Sequence, residues 1–378
     1  MRVVLLPSAF APSVGGVEEL TRRLAERLVA AGDDVEIWTV RHPSVLPSDE
    51  AVDGLRVRRF ALPMPRAHAR ELLRLPSAAM AALGELTRAA TEFRPDVLHV
   101  QCFSANGIYA AALAVRRRLP LVVSLQGETV MDDHDLYERS ATLRTGLRLC
   151  LRRADAVSAC SEFILDDARR FGLRPGRGVV VPNGVETGGD AGAGEISLPF
   201  ERFVLGLGRM VAKKGFDLLI EAFARLAPER PDVGLVLAGD GPVRADLVDR
   251  AAALGLAGRV HFPGKMTRSQ VAAVMAAADV FVLPSRVEPF GIVVLEALRA
   301  GRPVVVSSRG GAGEIIRHQR EGLLADPLDV VALTDAIASL LDDRPRARRM
   351  AAAGSERVKD FDWSGIARRY RAIYEEVA

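Results

Sequence analysis

Short aliphatic and β-branched runs alternate along the chain with longer stretches whose apolar positions recur at helical spacing. Arg2–Leu6 reads as a first buried strand, and its apolar run argues against a leader peptide over Met1–Gly16. Val17–Ala31 follows as a helix, with Leu20, Leu24 and Leu28 on one face. Gly32 closes it, and Val35–Val40 is the next strand. Leu55–Phe60, Asp96–Gln101, Leu121–Leu125, Ala156–Ala159 and Val179–Val181 continue the series, with helical stretches such as Ala105–Arg118 and Glu162–Phe171 between most of them. The pattern restarts with strands at Phe203–Leu207, Gly234–Ala238, Arg259–Phe262, Val280–Leu283 and Pro303–Val306. Helices are expected at Asp217–Leu226, opened by Asp217, and at Val243–Leu254, Arg268–Ala277 and Ile292–Ala300. A last helix covers Ser364–Val377. Strand, helix, strand at this spacing predicts parallel sheets with right-handed crossovers, an α/β chain of two doubly wound, Rossmann-like domains facing a central cleft. Ligands of such sheets bind beyond the carboxyl ends of the strands.

The break between the two halves is a change in composition. Thr187–Gly194 reads TGGDAGAG, which cannot pack a core and suits a linker. The expected domains are therefore 1–185 and 195–360, and the 378-residue length fits two cores. Basic and acidic side chains nearly cancel, 51 against 48, so no nucleic-acid footprint is expected. Cys102, Cys150 and Cys160 form neither a disulfide framework nor a CxxC pair, which suits a reduced, cytoplasmic chain. No apolar run is long enough to span a bilayer. Pro63–Leu83, rich in Arg, Leu and Ala, reads as an amphipathic helix that packs on the sheet or makes a peripheral membrane contact.

Candidate chemistry gathers where strands run into helices. Gly15-Gly16 lets a phosphate or sugar approach a helix N-terminus, although the pattern is not GxGxxG and no acidic residue ends the second strand. Gly208-Arg209 and Lys213-Lys214-Gly215 place cations at another such junction; with 4 lysines against 47 arginines in the chain, a lysine pair there is unlike its surroundings. Glu288-Pro289-Phe290-Gly291-Ile292-Val293-Val294-Leu295-Glu296 sets two carboxylates around a glycine that precedes a helix, whose first N–H groups suit a phosphate. A solvated turn or an acidic surface remains the plainer reading of each. Gly239-Asp240-Gly241-Pro242 and Gly310-Gly311-Ala312-Gly313-Glu314 are further strand-to-helix loops, and Pro182-Asn183-Gly184 is a turn at the domain border. His99 reads as a packed histidine. Asp133-His134-Asp135 invites a metal, but the spacing has no zinc-site geometry and no metal is expected.

Together these motifs resemble the retaining glycosyltransferases of family 4, which have the GT-B fold. The resemblance runs from PSVGGVEELTRRLAERLVAAGDDVEIWT through VPNGV, GLGRMVAKKGFDLLIEAF, LAGDGP and EPFGIVVLEALRAGRPVV to FDWSGIARRY. It implies a nucleotide-diphosphate sugar as donor, UDP- or GDP-linked with UDP the commoner in the family, with no cofactor and no metal. The acceptor would be a small molecule, a glycan or a lipid-linked intermediate. It further implies that Arg209 and Lys214 bind the diphosphate, that Glu288 holds donor-sugar hydroxyls and that Glu296 binds ribose. Gly291, Ile292 and Val293 would meet the phosphate or sugar through the backbone, with Gly241 and Phe290 beside the donor, the base near Met266, and Gly16 closing from the opposite domain. The last helix is expected to cross back onto the first domain. The chain departs from the family at Gln126, where a histidine is common; Gln126 is read as a positioning residue, with His134 a nearby substitute. A nucleotide-sugar epimerase of the same architecture, or a non-catalytic nucleotide-sugar-binding protein, are the competing readings.

Overall fold

The apolar runs become the strands of two separate sheets. The computed structural model describes residues 1–13, 15–64, 69–132, 136–188 and 196–378, the side chains of 69–75 excepted. It divides into two units, Met1–Asn183 with Trp363–Ala378, and Gly184–Asp362.

The first unit holds β1 (Arg2–Pro7), β2 (Asp34–Val40), β3 (Asp49–Val52), β4 (Leu55–Phe60), β5 (Val97–Gln101), β6 (Leu121–Leu125), β7 (Ala156–Ala159) and β8 (Val179–Val180). Their order is β3-β4-β2-β1-β5-β6-β7-β8. Leu5 pairs with Ile37 on one side and His99 on the other, both in parallel register. Val3–Leu6, Val97, Leu98, Val100 and Leu121–Val123 are buried, as expected for strands covered on both faces. Among the described strands only β3 runs antiparallel, and its sequence, DEAV, carries no strand signal. Cross-strand charge holds it instead: Asp49 faces Arg58, and the Arg56 guanidinium donates to Asp49 Oδ2 at 2.7 Å.

Most expected helices of this unit fall within a residue of their bounds, and one is displaced. The stretch expected as a helix over Pro63–Leu83 forms one over Ala69–Phe93, ten residues longer at its end. Its described part buries Ala82, Leu86, Ala89 and Ala90, an apolar stripe that continues past Leu83. The last helix, Trp363–Val377, packs in the first unit. It buries Trp363, Ile366, Ala367, Tyr370 and Tyr374, and its tyrosines meet a buried histidine. His99 Nδ1 lies 2.5 Å from the Tyr374 hydroxyl and Nε2 lies 2.6 Å from Ser124 Oγ, which in turn lies 2.5 Å from Ser158 Oγ. Burial drives the His99 imidazole down to about 3. It is a packed, neutral histidine.

The second unit holds β9 (Arg202–Leu207), β10 (Val233–Ala238), β11 (Val260–Gly264), β12 (Val280–Leu283), β13 (Val304–Ser307) and β14 (Leu323–Ala325). Their order is β11-β10-β9-β12-β13-β14, and every pair is parallel. The helix Phe216–Leu226 presses Phe216, Leu219, Ile220, Phe223 and Leu226 onto β9 and β10. Each such side chain contributes about 1.5–3 kcal/mol by leaving water. This unit begins at Gly184, and Val185 already bridges to Asp362, its N–H donating to the Phe361 carbonyl at 2.9 Å. Most of the stretch expected as a linker, residues 189–194 of Thr187–Gly194, lies outside the described residues. Among the described residues, no helix is long and apolar enough to cross a membrane.

Candidate active site

Five loops leave the carboxyl ends of β9 to β13 in the second unit. Those after β9 and β12 carry the charged residues, and backbone contacts fix them against each other. The Lys213–Lys214 turn is a single 3-10 turn, Ala212–Lys214, closed by Gly215 at φ +67°. A Cβ on Gly215 would stand 2.1 Å from the Pro284 carbonyl oxygen, so only glycine lets the turn lie this close to the end of β12. Gly310 does the same for the loop after β13. It takes φ +101°, and a Cβ there would reach within 2.3 Å of the Glu288 carbonyl oxygen, which accepts the Gly311 N–H at 2.8 Å.

These contacts bring the lysine and the glutamate together. Lys214 Nζ donates to Glu288 Oε2 at 2.6 Å, and Ser285 Oγ donates to the same oxygen at 2.9 Å. Both charged side chains are largely buried, at 16% and 7% exposure, so the cation and the carboxylate are held rather than waving in solvent. Arg286 ties the two loops. Its N–H donates to the Lys213 carbonyl at 2.8 Å, its guanidinium to the Ala212 carbonyl at 2.8 Å, and its fork to both oxygens of Asp217 at 2.7 and 2.6 Å. Burial alone pushes the Asp217 carboxyl up, but the hydrogen bonds and charge of Arg286 outweigh it and leave the group below the usual carboxylate range. Asp217, expected to open a helix, sits in its first turn and anchors this arginine.

The remaining donor-side candidates of this unit lie at the same sheet edge. Arg209 is exposed between Gly208 and the buried Met210. The Met210 N–H donates to the Asp240 carbonyl at 2.8 Å, and the Gly241 N–H to Asp240 Oδ1 at 2.9 Å, which sets the loop after β10 beside the loop after β9. Met266 is half-buried just past β11. Gly291 precedes the helix Ile292–Arg299, so Ile292 and Val293 carry the first helical N–H groups, which have no partner within the helix itself. Glu296 is half-buried one turn further on. Phe290 differs from expectation in one respect: its ring is buried, 6.1 Å from that of Phe361, so its side chain packs the core of the unit and offers the loop only its main chain.

The first unit presents its own candidates. Gly16 is exposed as the first residue of the helix Gly16–Ala30. Gln126 follows β6, and its amide oxygen and nitrogen are both buried with no hydrogen-bond partner among the described residues. An unpaired buried amide costs free energy unless something fills its valences. Next to it, the Glu128 carboxylate accepts the Phe103 N–H at 2.6 Å and the Gln126 N–H at 2.7 Å. Burial raises the Glu128 carboxyl, and these N–H groups only partly offset that. His134 lies outside the described residues. Ser285, Arg286 and Glu128 were not singled out from the sequence. The available signal was position: each stands within three residues of the end of a buried strand.

Known proteins resemble nearly the whole of this chain. Residues 15–184 match the glycosyl transferase 4-like domain, and residues 198–357 match the glycosyl transferases group 1 family. A glycogen synthase of Mycobacterium tuberculosis is 31% identical, the match covering 99% of this chain and 94% of that protein. The chain belongs to the glycosyl transferases group 1. The α-D-kanosaminyltransferase of Streptomyces kanamyceticus is 28% identical to this glycosyltransferase, over 95% of the chain and 99% of the relative. Among solved structures, the sucrose-phosphate synthase of Thermosynechococcus elongatus superposes with a TM-score of 0.80 at 25% identity, covering 99% and 98% of the two chains. HepE of Anabaena, solved in complex with UDP, gives 0.78 at 22% identity and full coverage of both chains. The glycosyltransferase thus has the GT-B fold, two Rossmann-like units, each built on a largely or wholly parallel sheet.

Proposed function

We propose that this glycosyltransferase moves a sugar from a UDP-sugar to an acceptor hydroxyl with retention of anomeric configuration, and that it uses neither metal nor cofactor. The observation that carries the reading is the Lys214–Glu288 pair, 2.6 Å apart and largely buried beside the start of the helix Ile292–Arg299. A diphosphate leaving the sugar gains negative charge as the C–O bond breaks. Lys214, Arg209 and the first N–H groups at Ile292 and Val293 stabilise that charge, the task a metal would otherwise perform. Glu288 keeps Lys214 oriented before the donor arrives and then turns its second oxygen to donor-sugar hydroxyls. Glu296 accepts from the ribose, Met266 borders the base, and Gly241 and the main chain of Phe290 and Gly291 line the donor. In the first unit, Gln126 positions a hydroxyl. A glutamine cannot take a proton at neutral pH, so the departing phosphate oxygen receives the acceptor proton.

The UDP and UDP-glucose complexes of the HepE neighbour support uridine as the base, whereas a relative named a GDP-mannose-dependent mannosyltransferase, 39% identical over 43% of this chain, supports guanosine. A nucleotide-sugar panel decides between them. The expected result is release of UDP, with water or an added sugar as acceptor, and a product whose anomeric coupling in proton NMR matches that of the donor. An inverted anomer, or no nucleotide release from any donor, refutes the proposal. A changed free sugar with no acceptor requirement would instead identify an epimerase.

A further inference from the structure

The second unit holds a second charged concavity, away from the loops just described. The loop ahead of β14 and the helix Arg344–Arg357 border an open cavity of about 680 Å³, lined by Gln319, Arg320, Arg346, Arg349 and Met350. It lies at the entry edge of the sheet. Residues 317–322 lead into β14 at Leu323, and the helix Val330–Asp342 carries the chain back to that edge before Arg344. The Lys214–Glu288 pair stands at the exit edge.

The neighbouring carboxylates are already engaged. Buried Glu321 accepts the Arg317 N–H at 2.7 Å and its Nε at 3.0 Å, and pairs with Arg320 Nε at 3.3 Å. Asp342 accepts from the Arg230 guanidinium at 2.6 Å, and Asp343 caps the helix by accepting the Arg346 backbone N–H at 2.9 Å. Among the described residues, the guanidinium groups of Arg346 and Arg349 have no carboxylate partner, and Arg346 is half-buried. Burying part of an unpaired cation is unfavourable, and the second guanidinium without a carboxylate, that of Arg349, raises the local positive potential further. An anion relieves both. Guanidinium forks match the oxygens of a phosphate, Gln319 adds an amide for ester or hydroxyl oxygens, and buried Met350 supplies an apolar floor.

We propose that this cavity is a phosphate-ester site, in which Arg346 and Arg349 fork the phosphate and Arg320 and Gln319 hold its substituent. The chemistry is shared by soluble phosphate esters and by phospholipid headgroups. It does not depend on the donor reading above.

Calorimetric titration of the whole chain with inorganic phosphate and glycerol 3-phosphate, and co-sedimentation with phosphatidic acid vesicles, test the site. Wild type is expected to bind at least one probe. R346Q/R349Q should weaken that binding at least about tenfold, and R349Q alone, at an exposed position, by an intermediate factor. R348Q, a neighbouring charge that does not line the cavity, should change binding by less than about twofold, as should K214A. Unchanged thermal unfolding without ligand shows that each variant folds. Binding of glycerol 3-phosphate in solution identifies a soluble ester; binding of vesicles alone identifies a headgroup. The proposal is overturned if no probe binds, if R346Q/R349Q binds like wild type, if R348Q loses as much, or if K214A abolishes binding and so moves the anion to the donor loops.

Discussion

His99 makes the first unit sensitive to acid in a way that can be calculated. Its imidazole is fully buried between Tyr370 and Tyr374, with ring centroids 5.0 and 5.4 Å away, and both ring nitrogens have hydroxyl partners. The folded value of about 3 lies below the ordinary 6.5. Between those pH values the unfolded chain binds a proton that the folded chain refuses. The sign follows: stability is complete above pH 6.5 and falls as the solution is acidified. At about 1.4 kcal/mol per pH unit, this one group removes about 2 kcal/mol at pH 5 and about 4 kcal/mol by pH 3. Both tryptophans, Trp38 and Trp363, are buried in the first unit, so their fluorescence during urea unfolding reports that unit alone. Wild type should lose one proton's worth of slope more than H99Q between pH 6.5 and 5. NMR of the labelled histidines, with His99 assigned by its loss in H99Q, should show it neutral down to the lowest pH at which the chain stays folded. A midpoint above about 5.5, or parallel pH profiles for the two proteins, would refute the reasoning.

Four further outcomes are expected. Lys214→Ala should slow sugar transfer at saturating donor by about 100- to 1,000-fold, the loss typical of one donor to a developing anion, with thermal unfolding measured in parallel to show that the unit still folds. Arg286→Ala removes the fork on Asp217 and the tether on the Ala212 carbonyl; unfolding of the second unit should cost about 1.5–3 kcal/mol less, and kcat/KM should fall because the Lys214 turn loosens. Gly310→Ala meets both a φ of +101° and a carbonyl oxygen 2.3 Å from the new Cβ, so it should lower the melting temperature and the activity together, while Gly188→Ala, with open space around it, should not. Treatment with EDTA should leave the transfer rate unchanged, and a rate restored only by an added divalent cation would contradict the metal-free proposal.

Where apolar burial decides structure, the fold was readable from the chain. Val280–Leu283 forms a strand with the bounds its VFVL run suggests, and both sheets follow from such runs. The misses have two causes. β3 is held by Asp49 against Arg56 and Arg58, pairs that a hydrophobic pattern does not register. The helix starting at Ala69 outruns its expected end because its apolar stripe continues through Leu86 and Ala90. At the candidate site, Lys214 and Glu288 stood out by residue type. Arg286 did not: in a chain with 47 arginines its type says little, and its partner Asp217 is far away in sequence. Phe290 shows the converse error, since an aromatic ring inside a ligand-binding motif turned inward to Phe361.

The last helix has a consequence for biosynthesis. Residues Trp363–Val377 complete the core of a unit whose other strands come from the start of the chain, and the whole of Gly184–Asp362 is translated in between. On the ribosome, the later-made unit has all its strands before the earlier-made one can close over His99. A chain truncated just short of Trp363 and released should therefore present a folded carboxyl-terminal half and an amino-terminal half still open to chaperones and proteases.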